Sequence, residues 1–377
     1  MYKNIFKEFE KNERPFYLNE YNRISDQQIT SALQNPNPTI ADFIALTSDK
    51  AIDHLEDIAH KSKRITEERF GKTIQLFSPL YFSSECSNKC TYCSFSMDND
   101  IVRKTLTIPE LMKEGQYLKN KGFSHVLLVA GEDNRVITTE YIVECIHSIK
   151  KIFPSVIIEI APQNIEEYQI FAEAGCEGVT VYQETYDRDQ YKLHHLGGKK
   201  RIFDYRIDTP DRACIAGMRN VAIGALFGLT HWQIDTLSIY HHLSYLQKKY
   251  WRTSFSIAFP RLRAHVGEYD PPPEYILNDT KLVQLICAFR ICFPDTGIVL
   301  STRESAVFRD QVFQLGITKM SAGSSTEVGG YTGDIPPNEP QFQLEDLRSA
   351  EEVAQSIKNL GYDPVWKDWE GTMHAIR

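Results

Sequence analysis

A closed (β/α)8 barrel of the TIM type is the fold that this 377-residue sequence predicts. Strand-like apolar segments alternate with helical ones, the alternation repeats eight times over about 250 residues, and polar side chains gather just after the strand-like segments. Segments that are apolar throughout need cover on both faces, which a parallel sheet with helical crossovers provides. Eight units over that length fit a closed barrel better than an open doubly wound sheet.

Residues 1–72 read as an N-terminal helical extension, because TIADFIALTSDKAIDHLEDIAHKSKRITEERFG repeats apolar positions at three- and four-residue spacing. The barrel is expected over 73–330. Its strand-like segments are TIQLFSPLYFSS, HVLLVAGE, VIIEIAP, GVTVYQETY, NVAIGALFGL, SFSIAFPRLR, GIVLSTRES and ITKMSAGS. Between them lie helical stretches such as PELMKEGQYLKNKG, EYIVECIHSIKKIF and IDTLSIYHHLSYLQKKYW. Glycines in FAEAGCEG, IAGMRN and QLGITK fall where helix C-terminal caps are expected. Residues 331–377 read as a helical segment packed on the barrel.

A 42% hydrophobic and 24% charged composition is that of an ordinary globular protein, and a net charge of -8 argues against nucleic acid or an anionic membrane as the main partner. No apolar run reaches the length of a membrane span, and the charged N-terminus lacks the features of a signal peptide. Cys145, Cys176, Cys214, Cys287 and Cys292 are scattered without paired spacing, as expected of buried thiols in a reducing cytoplasm.

Chemistry in a barrel sits at the C-terminal ends of the strands. There the sequence places Cys86, Cys90 and Cys93 after the first strand, Glu132 after the second, Gln183 and Glu184 after the fourth, and Arg261 and Arg263 after the sixth. Arg303 and Glu304 follow the seventh, and Ser321 and Ser324 the eighth. Thiolates are soft ligands that select zinc or iron and sulfur. Structural zinc wants four ligands, commonly two CxxC pairs, and no second pair is present. A [4Fe-4S] cluster on three thiolates instead leaves one iron open to a small molecule.

The motif CSNKCTYC, with Tyr92 before its last cysteine, resembles the signature of radical S-adenosylmethionine (SAM) enzymes. The resemblance implies a [4Fe-4S] cluster on Cys86, Cys90 and Cys93, with SAM on the open iron and one-electron cleavage to a 5'-deoxyadenosyl radical. It places Tyr92 beside the adenine and Glu132 of VAGED on the methionine ammonium, with Ala130 where the family has a first glycine. Arg206 is the candidate for the SAM carboxylate, since a guanidinium fork binds carboxylates bidentately.

CTYCSFSMDNDIVRKTL, VYQETY, HHLGGKK, DTPDRACIAGM, IGALFGL, YWRTSFSIAFPRLR, LSTRES and GGYTGD, in this order, resemble the radical SAM tyrosine lyases, and among them the group that makes 2-iminoacetate for the thiazole ring of thiamin. That implies cleavage of the Cα–Cβ bond of L-tyrosine to 2-iminoacetate and p-cresol, thiazole synthase as protein partner, and a ferredoxin or flavodoxin-type electron donor. Arg303 and Ser321 are the candidates for the tyrosine carboxylate, and Gln183 and Glu184 for amino or ribose groups, Glu184 on the cofactor side. The basic, glycine-rich HHLGGKK is expected to form a mobile loop, without a metal-binding role for His194 or His195. Three alternatives remain: a hydrogenase-maturation lyase, which SAGSSTEVGGY resembles but which would carry further cysteines beyond Cys292; a tryptophan-cleaving relative; and a non-catalytic, zinc-stapled binding protein.

Overall fold

The computed structural model describes residues 1–366. Its strands are β1 (Thr73–Ser83), β2 (Lys89–Cys90), β3 (His125–Ala130), β4 (Ser155–Glu159), β5 (Gly178–Tyr182), β6 (His195–Gly197), β7 (Asn220–Gly224), β8 (Ser254–Ala258), β9 (Gly297–Leu300), β10 (Lys319–Ser321) and β11 (Asp363–Val365). β1, β3, β4, β5, β7, β8, β9 and β10 pair in that order, all parallel, and the β1–β10 pair closes the barrel from Gln75↔Lys319 to Phe77↔Ser321.

Period-two alternation sorts each strand between core and lumen. Val126, Leu128, Val156 and Ile158 are buried in the apolar core. Their neighbours Leu127, Val129 and Glu159, with Phe77, Pro79 and Tyr81 of β1, line the barrel interior. The last residue of β4 is therefore a carboxyl aimed inward.

The N-terminal residues form successive helices whose aromatic pegs bury fully: Tyr2, Phe6 and Phe9. Tyr2 stacks on His242 at 3.8 Å and Phe9 on His241 at 4.0 Å, both on the helix Trp232–Lys249. The segment after residue 330 is less helical than the sequence predicts. It runs irregularly across the mouth, forms one helix (Ala350–Asn359), and ends in β11, which adds to β1 at Thr73↔Asp363. Residues 367–377 of the expected segment lie outside the described residues.

HHLGGKK takes up regular structure rather than the loop expected from the sequence. His195–Gly197 forms β6, antiparallel to β2, and a 3-10 turn follows at Lys199–Arg201. The two glycines make this strap possible by close approach rather than looseness. Gly198 has φ +78°, and a Cβ there would meet Asn88 Oδ1 at 2.2 Å and the Ser87 carbonyl at 2.6 Å. Gly131 presses equally on the other side of the cysteine loop, 2.3 Å from the Glu85 carbonyl by the same measure.

Gly198→Ala should therefore cost about 1–3 kcal/mol from overpacking, on top of about 1–3 kcal/mol for holding alanine at φ +78°, ψ -175°, a region essentially reserved for glycine. Gly217→Ala, at φ +90° with open space around it, should bear a positive-φ backbone cost alone. Denaturant unfolding of the pair checks this, and amide exchange should rise over residues 86–93 only in the first variant.

Candidate active site

Cys86, Cys90 and Cys93 stand on the loop after β1 and, like the other cysteines, are free thiols. Burial pushes all three up: Cys86 above its ordinary value, Cys90 well above it, and Cys93 to about 11. Lys200 acts against burial at each of them. Among the described residues no three or more His, Cys, Asp or Glu side chains converge as on a single ion. Zinc would need such a group, whereas a cluster takes one thiolate per iron. Three neighbouring thiols beside a buried lysine, which offsets thiolate charge, fit a [4Fe-4S] cluster.

Hydrogen bonds fix this loop to the strand ends and to the strap. The Ser87 amide and hydroxyl donate to the Glu132 carbonyl at 3.2 and 2.9 Å, and Asn88 Nδ2 donates to Glu132 Oε2 at 2.9 Å. The Lys200 amide donates to Asn88 Oδ1 at 3.0 Å. His195 Nδ1 lies 2.7 Å from the Tyr191 carbonyl, which only accepts, so Nδ1 carries the proton and Nε2 accepts from the Tyr92 hydroxyl at 2.6 Å. Burial holds His195 well below its ordinary pKa. It is neutral and aims Tyr92. His194 likewise bonds to Thr91 Oγ1 and the Leu229 carbonyl.

Behind the thiols lies a buried charge quartet. Arg206 donates Nη1 to Glu132 at 3.0 Å, Nη2 to Glu184 at 3.2 Å and Nε to the Tyr182 carbonyl at 2.7 Å. Lys200 Nζ is 2.7 Å from Glu184 Oε1 and 3.6 Å from Glu132 Oε1. Burial raises both carboxyls, but the two cations outweigh it and hold them below the usual range. Arg206 is thus no open fork. All three of its nitrogens are engaged within the protein. Glu184 is the only non-glycine among the described residues with positive φ, at 71°. Such a conformation costs of order 1–3 kcal/mol and clusters at functional sites.

Tyr92, Cys93, Glu184, Arg303 and Ser321 line one cavity at the C-terminal mouth, with Tyr81, Glu159, Tyr182, Lys200 and Phe342. Its volume is about 150 Å³, enough for a benzene-sized ring. Cys86, Cys90 and Gln183 are not among its lining. The Gln183 side-chain nitrogen Nε2 is buried without a hydrogen-bond partner among the described residues. Glu132 and Arg206 open instead into an adjoining hollow with Lys200. Ser321 Oγ accepts from the Thr302 amide at 3.0 Å.

Arg303 has no ion-pair partner among the described residues. Glu304 is taken by Arg261 and by Arg263 at 2.7 Å, and Asp310 by Arg348 at 2.8 Å. The Arg303 guanidinium carbon sits 3.3 Å from the centre of the Phe342 ring, and burial lowers its pKa. Sequence reasoning missed two groups. Lys200 belongs to the basic HHLGGKK stretch read as a loop, and no local signal marks it as enclosed. Glu159 of VIIEIAP was read as strand, although a lone carboxyl in an otherwise apolar strand is itself a signal. Burial, with Glu184 nearby, pushes Glu159 up to about 7.

A radical SAM superfamily model matches residues 80–238, and a biotin and thiamin synthesis associated domain model matches 258–363. The chain is 43% identical over 330 residues to the 2-iminoacetate synthase of Salmonella typhimurium, covering 87% of each chain. It is 41% identical over 343 residues to that of Escherichia coli, covering 91% of this chain and 90% of the other. The crystal structure of HydG, a maturase of the [FeFe]-hydrogenase, superposes with a TM-score of 0.91 at 31% identity, over 97% of this chain and 82% of that one. HydG from Carboxydothermus hydrogenoformans gives 0.89 at 29%, over 98% and 86%. By this likeness over nearly its whole length, the chain belongs to the 2-iminoacetate synthase family of radical SAM enzymes.

Proposed function

We propose that the protein cleaves the Cα–Cβ bond of L-tyrosine to 2-iminoacetate and p-cresol, consuming SAM and one electron, and supplies 2-iminoacetate for the thiamin thiazole ring. The observation that carries this reading is a ring-sized cavity lined by Cys93 of the three-cysteine loop, by Glu184 and Lys200 of the charge quartet and by an arginine without an ion pair among the described residues, Arg303. When bound, a [4Fe-4S] cluster and SAM supply the electron and the carbon radical. Cys86, Cys90 and Cys93 would hold the cluster, and Tyr92, Glu132, Glu184, Arg206 and Lys200 would surround SAM.

Arg303 holds the tyrosine carboxylate in this reading. It is half-buried, has no ion pair among the described residues, is pressed on Phe342, and spends only one long bond, 3.4 Å, on the Arg261 carbonyl. Ser321 and Gln183 are secondary candidates for the same substrate. The ring would lie among the apolar side chains of the lining, Phe77, Leu127, Phe259 and Ile286. Enclosure matters because 2-iminoacetate hydrolyses readily, and a closed mouth excludes water.

Thiazole synthase as acceptor and a ferredoxin or flavodoxin-type donor belong to the proposal. So do a cytoplasmic location, which suits eight free cysteines, and a division into extension (1–72), catalytic barrel (73–330) and C-terminal cover (331–377). No helix among the described residues is long and apolar enough to cross a membrane. The HydG likeness favours a hydrogenase-maturation reading less than the 2-iminoacetate synthases favour this one, at 31% against 43% identity.

After anaerobic reconstitution with iron and sulfide, the protein incubated with SAM, a reductant and tyrosine should yield p-cresol, 5'-deoxyadenosine and glyoxylate, the hydrolysis product of the imine. Deoxyadenosine without p-cresol would retain the radical SAM assignment and reject tyrosine, while cyanide among the products would favour hydrogenase maturation. Cys90→Ala should abolish the broad iron–sulfur absorbance and SAM cleavage while circular dichroism still reports a folded barrel. Arg303→Ala should weaken tyrosine use by about 1.5–3 kcal/mol, the scale of a charge-assisted hydrogen bond, and spare tyrosine-independent SAM cleavage. Equal loss of both activities would assign Arg303 to SAM or to the fold.

A further inference from the structure

The cavity presents six charged side chains: Glu159, Glu184, Lys200, Arg263, Arg303 and Glu304. Glu184 is paired with Lys200, and Glu304 with Arg263. Two charges are left over, Arg303 and Glu159. The Glu159 side chain makes no hydrogen bond or ion pair with any described residue. It ends β4 at a lumen-facing position, level with Val129 of β3. Half-buried in the cavity wall, an uncommitted carboxyl at the C-terminal end of a barrel strand is placed for a ligand.

An α-amino acid zwitterion presents an anion and a cation a few ångströms apart. Building on the tyrosine-lyase reading, we propose that Glu159 binds the α-amino group of the substrate while Arg303 binds its carboxylate. Glu159 and Arg303 lie close enough to act on each other electrostatically, as Glu159 and Glu184 do. Glu159 thus shares the cavity with the proposed carboxylate anchor and with Glu184 and Lys200 of the quartet. The phenol, at the other end of the substrate, is left to the apolar lining.

The pairing also governs a proton. The bound ammonium donates an N–H to the Glu159 carboxylate, and transfer of that proton leaves a neutral amine and a neutral carboxylic acid. An amine N–H can then give up a hydrogen atom without creating a radical cation. The groups facing Glu159 are Glu184, Arg303, Lys200, Arg206, Tyr81 and Tyr182. Glu184 is held below the ordinary range, the tyrosines are pushed up, and Lys200 and Arg206 are raised. Glu159, at about 7, is thus the member of this set that titrates near neutrality. Ammonium binding needs its ionised form, so tyrosine affinity should rise about tenfold from pH 6 to pH 8.

The test is calorimetric binding to the cluster-loaded enzyme with SAM and no reductant, so that nothing turns over. The ligands are tyrosine, phenylalanine and 3-(4-hydroxyphenyl)propionate, which lacks the amino group. In Glu159→Gln, tyrosine and phenylalanine should both weaken about tenfold at pH 8, the propionate should bind unchanged, and the pH dependence should vanish. Weakening of tyrosine and the propionate but not phenylalanine would mean a phenol contact and would overturn the assignment. Equal weakening of all three would overturn it in favour of a structural role. Should Glu159→Gln lose SAM binding as well, Glu159→Asp replaces it: retained pH dependence with weaker tyrosine supports the pairing, and unchanged tyrosine affinity rejects it. If the unaltered enzyme binds the propionate and not tyrosine, the tyrosine reading itself falls, a result seen without any substitution.

Discussion

The mouth of this barrel depends on a buried quartet of two carboxylates and two cations. Glu132 follows β3, Glu184 follows β5, Lys200 comes from the strap and Arg206 from the helix Phe203–Ile207, so one set of ion pairs ties four separate segments together. Its formal charges cancel. Desolvating four ions is expensive, and removing one partner strands another, so such a group enforces its own geometry rather than adding net stability. Glu184 also carries the cost of its left-handed backbone. The cysteine loop inherits that geometry through Asn88, which donates to Glu132 and accepts from the Lys200 amide.

The substrate side is built on the opposite principle. Arg261, Arg263 and Glu304 satisfy one another beside it, whereas among the described residues Arg303 has no carboxylate partner, only a 3.4 Å bond to the Arg261 carbonyl, and Glu159 has no ion-pair partner. Neutralised neighbours and uncommitted anchors in one cavity separate the positions that support from those that bind. The same separation explains why burial lowers the Arg303 pKa while ion pairs raise that of Arg206, although both are enclosed guanidiniums.

Much of this was legible in the sequence, because strand alternation and the run of polar residues after each strand are local signals. The order of the eight barrel strands and the gathering of Cys93, Glu184, Arg303 and Ser321 follow from them. What was not legible depends on contacts distant in the chain. A glycine pair reads as looseness until Gly198 is seen against Asn88, 110 positions away. Arg206 reads as an open fork until Glu132 and Glu184 occupy it. Glu159 is invisible to a search for motifs because it belongs to none; it stands out only when the other charges of the cavity have been paired off.

The C-terminal segment makes the anchors effective. Its irregular run brings Gln341, Phe342 and Leu344 to the cavity wall, with Gln341 accepting from the Tyr81 hydroxyl at 2.7 Å and Phe342 lying under Arg303. An arginine facing open water would bind a carboxylate weakly, since solvent screens both charges. Covered by a ring, the same guanidinium keeps its cation–π contact and loses water, which strengthens its attraction for an anion that enters beside it. β11 then returns the chain to β1, the strand that leads into the cysteine loop. The cover is thereby fastened to the barrel at the strand that carries the thiols, and the ring under Arg303 and the cysteine loop are referred to a single strand.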